Sequence, residues 1–260
     1  MGSVLADAII EKGICSAKEL TVIEKYTNQY TQKLQEKGTR VLEHFSELSG
    51  NQDLVIIAVK PQDSSEVLDE IVAGVDENTL VISIMAGITL EVLKNKLPEA
   101  QIIRCMPNTP CAIQQGMAVY CGNGRVSDKS YVIAQSILST MGKAFRVKKE
   151  IMIDAATGIS GSGPAYVFYL AEALKEGAIK LGFDEEQADL LATQTLLGSS
   201  TLLHQSKDSP EELRRKVTSP NGTTLEATKH FDAKGLKQIL IEGFEAAYNR
   251  SIELGKPKEN

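Results

Sequence analysis

The chain has 260 residues, 42% of them hydrophobic, which is enough apolar content for one large core or two modest ones rather than one small module. Its 34 acidic and 28 basic residues are spread along the chain without a basic run, so the electrostatic footprint of nucleic-acid binding is absent and a small-molecule partner is expected. No stretch approaches the roughly 18 apolar residues of a membrane span, and the opening MGSVLADAIIEKG carries Asp7 and Glu11 where a secretion signal needs positive charge.

The cysteines Cys15, Cys105, Cys111 and Cys121 form neither a CxxC pair nor a Cys/His cluster. Neither a metal site nor a disulfide framework is expected, and reduced thiols fit a cytoplasmic protein.

In chain order, Met1-Gly2 opens an apolar helical pattern, SVLADAIIEKGI. Such a pattern follows the last glycine of a dinucleotide-binding turn, where helix N–H groups receive a pyrophosphate; an ordinary amphipathic helix fits the same residues. The strand-like run Leu20–Glu24 comes next. Glu24 stands about 20 residues beyond Gly2, where a fingerprint acid binds ribose hydroxyls. There it would repel a 2′-phosphate and favour NADH, with Lys25 softening the preference; a plain surface glutamate is the alternative.

Further strands are predicted at Leu54–Lys60, Leu80–Met85, Ile102–Met106, Met117–Cys121 and Ala144–Val147. The central runs are apolar throughout instead of alternating, which indicates strands covered on both faces in a doubly wound α/β arrangement. Three of them end in loops suited to a ligand. VIIAVKPQ (residues 55–62) turns outward at Lys60-Pro61, SIMAG (83–87) ends in small residues that let a ligand approach the backbone, and RCMPNTP (104–110) frames Asn108 between prolines.

After Glu150 the strand-like runs give way to long helical periods, so the expected division is a dinucleotide-binding domain over 1–149 and an all-helical domain over 150–260. Gly163-Pro164 is placed to open the first of these helices, and Gly182 and Gly255 to end two of them. These helices are apolar on more than one face, which points to a homo-oligomer built through this half. TGISGSGPAYVF (157–168) packs small residues before a helix and is expected to expose N–H donors; a helix start packed tightly against a neighbouring helix fits the same residues. VTSPNGTT (217–224) leads into LEATKHF, a helix start that forms an anion cradle suited to a carboxylate. A structural N-cap is the simpler alternative there.

The segments SIMAG, RCMPNTP, SGSGPAYVF and VTSPNGTT, in this order and spacing, resemble pyrroline-5-carboxylate reductase over Met1 to about Leu254. The resemblance implies a Rossmann-type amino-terminal domain and an all-α dimerisation domain, whose dimers can assemble into decamers. It implies hydride transfer from NADPH or NADH to 1-pyrroline-5-carboxylate, a cyclic imino acid, giving L-proline in the last step of proline biosynthesis. Met1, Gly2, Glu24, Ala58, Val59, Lys60 and Pro61 would hold the cofactor, with Ala86 and Asn108 near its nicotinamide. Ser219, Gly222, Thr223 and Thr224 would hold the substrate, with Thr224 as the catalytic residue at the ring nitrogen, and Glu150 would lie near the substrate. One subunit's substrate loop is expected to meet the cofactor of its partner.

Two departures from the family pattern carry expectations of their own. Members have a strand and glycine turn ahead of the Met-Gly at which this chain starts, so a sheet lacking its first strand and weak cofactor binding are expected, each buried unpaired backbone group costing about 1–3 kcal/mol. The alternative function is then a catalytically impaired truncated form that acts only as an oligomerising or regulatory subunit. Asn221 stands where members commonly have glycine, and asparagine tolerates left-handed backbone angles. A β-hydroxyacid dehydrogenase, the enzymatic rival, would need a lysine where this chain has Val167.

Overall fold

The computed structural model describes residues 1–48 and 50–256. The chain divides into two compact units, Met1–Ser162 with Ala246–Asn260, and Gly163–Glu245.

In the first unit the elements are α1 (Gly2–Glu11), β1 (Thr21–Ile23), α2 (Gln29–Glu36), β2 (Arg40–Leu42), β3 (Leu54–Ile57), α3 (Ser64–Ile71), β4 (Leu80–Ser83), α4 (Leu90–Lys96), β5 (Gln101–Met106), β6 (Gly116–Gly122), α5 (Asp128–Leu138), β7 (Gly142–Arg146) and α6 (Ile151–Ala156). β3 to β7 form one sheet in sequence order, while β1 and β2 pair in parallel as a separate two-stranded sheet. Among the described residues neither β1 nor β3 has a second strand partner.

The uninterrupted apolar runs explain why the larger sheet is buried on both faces. Val81, Ile102 and Val119 point into one core with Leu68 and Ile71 of α3, Leu90 and Leu93 of α4, and Ile153 of α6. Their neighbours Ile82, Ile103 and Tyr120 point into the opposite core with Leu5 and Ile9 of α1 and Ala134, Ile137 and Leu138 of α5. A strand has a period of two, so both sets must be apolar when helices cover both faces. Each such large side chain contributes about 1.5–3 kcal/mol on burial.

The sheet is parallel from β3 to β5 and again from β6 to β7, but β6 runs antiparallel to β5. The intervening loop holds only a 3₁₀ turn, Thr109–Ile113, and is too short for the crossover a parallel pair needs. β2, which the sequence reading did not contain, is three residues long with exposed Arg40 at its start, so it lacks an apolar run.

After α6 the chain does not stop and restart. A π turn, Thr157–Gly161, carries the helical path on to α7 (Gly163–Lys180). The expected exposed N–H donors of TGISGSGP are therefore corrected: the segment is helical, with the Ser162 N–H bonded to the Thr157 carbonyl at 2.8 Å.

The second unit continues with α8 (Glu185–Gln205), α9 (Pro210–Lys216), α10 (Thr223–Ala233) and most of α11 (Leu236–Leu254), whose last turns belong to the first unit. Gly182, at φ 101°, follows the end of α7, and Asp184 caps α8 by accepting from the Gln187 N–H at 2.8 Å. α7 packs along α8 through small buried residues, Ala178, Ala188 and Ala192. The flanks stay apolar and exposed: Phe168 is 62%, Leu181 82% and Leu190 65% accessible. Extended apolar surface of this kind marks an interaction face. Among the described residues no helix is long and apolar enough to cross a membrane.

Candidate active site

Three parallel strands bring their carboxyl ends to one edge of the larger sheet, with Ile57 in register with Ser83 and Ser83 with Arg104. Ligands of open α/β sheets collect at such an edge. α1 starts there too: a Cβ on Gly2 would lie 3.0 Å from the Ala58 Cβ, so only glycine lets the helix start pack this tightly on the end of β3. Met1 is the N-cap, no side chain caps the helix, and no acidic residue lies in its first turn. Its leading N–H groups are therefore open to an anion. These features fit a dinucleotide diphosphate.

Beyond β3, Val59 is half-buried against the core, while Lys60 is exposed and precedes a 3₁₀ turn that begins at Pro61. Met1, Gly2, Ala58, Val59, Lys60 and Pro61 thus lie along one stretch of the edge. Glu24 follows β1, its N–H bonded to the Leu42 carbonyl at 2.9 Å and its side chain half-buried. Lys25 is turned to Glu66 at 3.4 Å in an exposed pair that contributes little to stability.

At the end of β4, Ala86 is exposed and Gly87 takes φ 74°. A Cβ on Gly87 would come within 3.2 Å of the Leu254 Cβ, so the turn is small because the end of α11 lies against it. At the end of β5, Asn108 uses both side-chain polar atoms. Its Oδ1 accepts from the Met117 N–H at 2.8 Å, and its Nδ2 donates to the Ser160 carbonyl at 3.1 Å. Asn108 therefore fastens the loop to β6 and to the π turn. Gly161 in that turn lies against Met106, where a Cβ would approach Cε to 2.8 Å.

Glu150 lies in the first unit, where its Oε1 accepts from the Leu90 N–H at 2.7 Å and from Arg104 Nη1 at 2.8 Å. Arg104, only 2% exposed, also donates from Nη2 to Asp154 Oδ1 at 2.9 Å, and Ser251 Oγ donates to the same oxygen at 2.8 Å. The sequence reading left out Arg104, Asp154 and Ser251. The available signal was an arginine inside the apolar run Ile102–Met106, since a charge in such a place needs a buried partner.

Burial holds the Cys105 thiol well above its usual range and pushes Cys121 up to about 12. Neither thiol can serve as a nucleophile near neutral pH.

The second unit holds the loop over residues 217–224. Asn221 takes φ 59°, a left-handed angle that asparagine tolerates. The Gly222 N–H donates to the Ser219 carbonyl at 3.1 Å, and a Cβ on Gly222 would meet Ser219 Oγ at 2.3 Å, so a larger residue there would displace the Ser219 hydroxyl. Gly222 is the N-cap of α10 and brings no capping side chain, which leaves the N–H groups of Thr223 and Thr224 at the open helix start. The turn is braced by the Thr228 hydroxyl, 3.0 Å from the Thr224 carbonyl. Glu226, the acidic residue of this first turn, is paired with Lys229 at 2.9 Å.

Ser219, Gly222, Thr223 and Thr224 are thus gathered in one turn, with Ser219 and Thr223 exposed and Thr224 half-buried. Two hollows in this unit, of about 320 and 490 Å³, are lined mainly by residues of α7 and α8 and by residues of α9 and α10; neither includes Ser219 or Thr224.

Comparisons with known proteins cover both units. Residues 150–254 match the family model described as pyrroline-5-carboxylate reductase dimerisation, and residues 1–87 match the model described as NADP oxidoreductase, coenzyme F420-dependent. A pyrroline-5-carboxylate reductase from Synechocystis is 37% identical, with 98% of this chain and 96% of the relative covered. One from Pseudomonas aeruginosa is 39% identical over 83% of this chain and 80% of the relative. The solved structure of a pyrroline-5-carboxylate reductase from Coxiella burnetii superposes with a TM-score of 0.90 at 31% identity, covering 98% of this chain and 95% of that one. The Plasmodium falciparum pyrroline carboxylate reductase, solved with NADP bound, gives a TM-score of 0.86 at 29% identity, with the same two shares covered. The chain belongs to the pyrroline-5-carboxylate reductase family.

Proposed function

We propose that the protein reduces 1-pyrroline-5-carboxylate to L-proline with NADPH or NADH. The observation that carries the substrate assignment is the uncapped start of α10, where glycine geometry and two threonines leave amides and hydroxyls open to a small carboxylate. The silent-subunit alternative is not favoured, because the chain matches named reductases over nearly their whole length.

When bound, the dihydronicotinamide supplies the hydride that the imine carbon accepts. The residues of this chain provide placement more than acid–base strength. Gly2 and the start of α1 receive the diphosphate, Lys60 adds a cation at the same edge, and Ala86 leaves room for the ring. Glu24 engages ribose hydroxyls. The amides of Thr223 and Thr224, with Ser219, hold the carboxylate, and the Thr224 hydroxyl orients the ring nitrogen and passes it a proton from water. Positioning of this kind supplies much of the rate in a two-substrate reaction.

The apolar flanks of α7 and α8 support a dimer through the helical half, and decamers built from such dimers are part of the same proposal. We place the protein in the cytoplasm.

The test is imine-dependent oxidation of NADPH by the purified protein. Thr224→Ala should lower kcat by roughly tenfold or more, as loss of a proton-relay group does, with KM for NADPH unchanged. Wild-type turnover in the variant would remove Thr224 from its role.

A further inference from the structure

We propose that Arg104, Asp154 and Ser251 form a buried clasp that positions the Ala86–Gly87 turn; the functional part of the inference rests on the assignment of that turn to the nicotinamide. The turn is held from two sides. On one side, Glu150 accepts the Leu90 N–H at 2.7 Å and so fixes the start of α4, three residues beyond Gly87. On the other, the end of α11 lies against it. Gly87 approaches Leu254 so closely that a Cβ would be 3.2 Å from the Leu254 Cβ, and a Cβ on Gly255 would be 3.1 Å from Thr89 Cγ2.

Both sides lead back to one guanidinium. Arg104 Nη1 holds Glu150 at 2.8 Å, and Arg104 Nη2 holds Asp154 at 2.9 Å. Asp154 in turn receives the Ser251 hydroxyl at 2.8 Å, one turn before Leu254 on α11. Arg104 comes from the middle of the sheet, where β4 and β6 flank β5, so the rigid fork transmits the position of the sheet to both supports of the turn.

A cluster of one buried cation with a buried and a half-buried carboxylate is an expensive way to gain stability, because the desolvation cost offsets most of the attraction and an apolar replacement often does as well. Its distinctive product is geometry. A planar guanidinium bridging two carboxylates fixes where α4 begins and where α11 ends, and hydride transfer is sensitive to misplacement of its reactants. Arg104, Asp154 and Ser251 are positioning residues: they act on the turn through Glu150 and Leu254.

The experiment compares Ser251→Ala and Arg104→Lys with the wild-type protein by thermal melting, amide hydrogen exchange over residues 86–92, and steady-state kinetics in both substrates. A lysine replaces the planar fork, whose two nitrogens each hold one carboxylate, by a single flexible ammonium, and Ser251→Ala removes one hydroxyl while leaving the Arg104–Asp154 pair intact. In variants that remain folded, exchange over residues 86–92 should quicken severalfold and KM for NADPH should rise severalfold, with KM for the imine unchanged. Wild-type exchange and kinetics, or equal changes in the two KM values, would overturn the clasp. Should Arg104→Lys fail to fold, Ser251→Ala alone decides. A wild-type protein without reductase activity would count against the proposed reaction, while the exchange comparison would still decide whether the clasp holds the turn.

Discussion

Asn108, which the resemblance sets near the nicotinamide, also carries a structural load. Its amide is bonded at both ends, to Met117 and to Ser160, and so holds the loop after β5 in shape. Asn108→Ala would leave the half-buried Met117 N–H without its acceptor and should lower stability by about 1–3 kcal/mol, measured as a shift in the denaturation midpoint; an unchanged midpoint would show that the loop is held by other contacts. RCMPNTP marked the loop as stiff and polar, but a linear sequence cannot show that Ser160, 52 residues away, supplies the second partner. The same limit hid the Arg104 cluster, whose partners Glu150, Asp154 and Ser251 come from distant parts of the chain. Asn221 was legible for the opposite reason. Its left-handed angle is a local requirement, and glycine and asparagine are the residues that meet it.

Elements with strong periodic signals were readable. The runs around Ile56, Ile82 and Ile103 became strands because apolar residues on both faces leave no solvent-facing side, as in a sheet between helix layers. The weak signals were those settled by neighbours. β2 has three residues and forms by pairing with β1, and TGISG lies in a π turn with Met106 packed against Gly161. The start of α10 was recognisable as a helix start from its residues, since Ser, Thr, Asn and Gly are favoured there. Here the Gly222 Cβ position is filled by Ser219 Oγ. Gly222→Val should therefore distort the cradle, raising KM for the imine severalfold while KM for NADPH holds. Unchanged kinetics in both substrates would show that the turn does not bind substrate.

At the scale of the whole molecule, the sheet with helices on both faces followed from the uniformly apolar runs, and the all-helical half from the loss of such runs after Glu150. The exposed leucines of α7 and α8 gave the same information about assembly in the sequence and in the structure: one chain has more apolar helix surface than it can cover. The antiparallel β6 was not legible, because strand direction depends on the length of the connection and on what it packs against. The comparisons place all of this in a family of reductases, so the claim that most needs a direct measurement is that the α10 start recognises a carboxylate. Two charge-assisted hydrogen bonds at about 1.5–3 kcal/mol each correspond to roughly 10²-fold or more in kcat/KM. The measurement is kcat/KM for 1-pyrroline-5-carboxylate against that for 1-pyrroline, the same ring without the acid. A preference of roughly 10²-fold or more for the acid is expected, and equal values for the two rings would contradict the assignment.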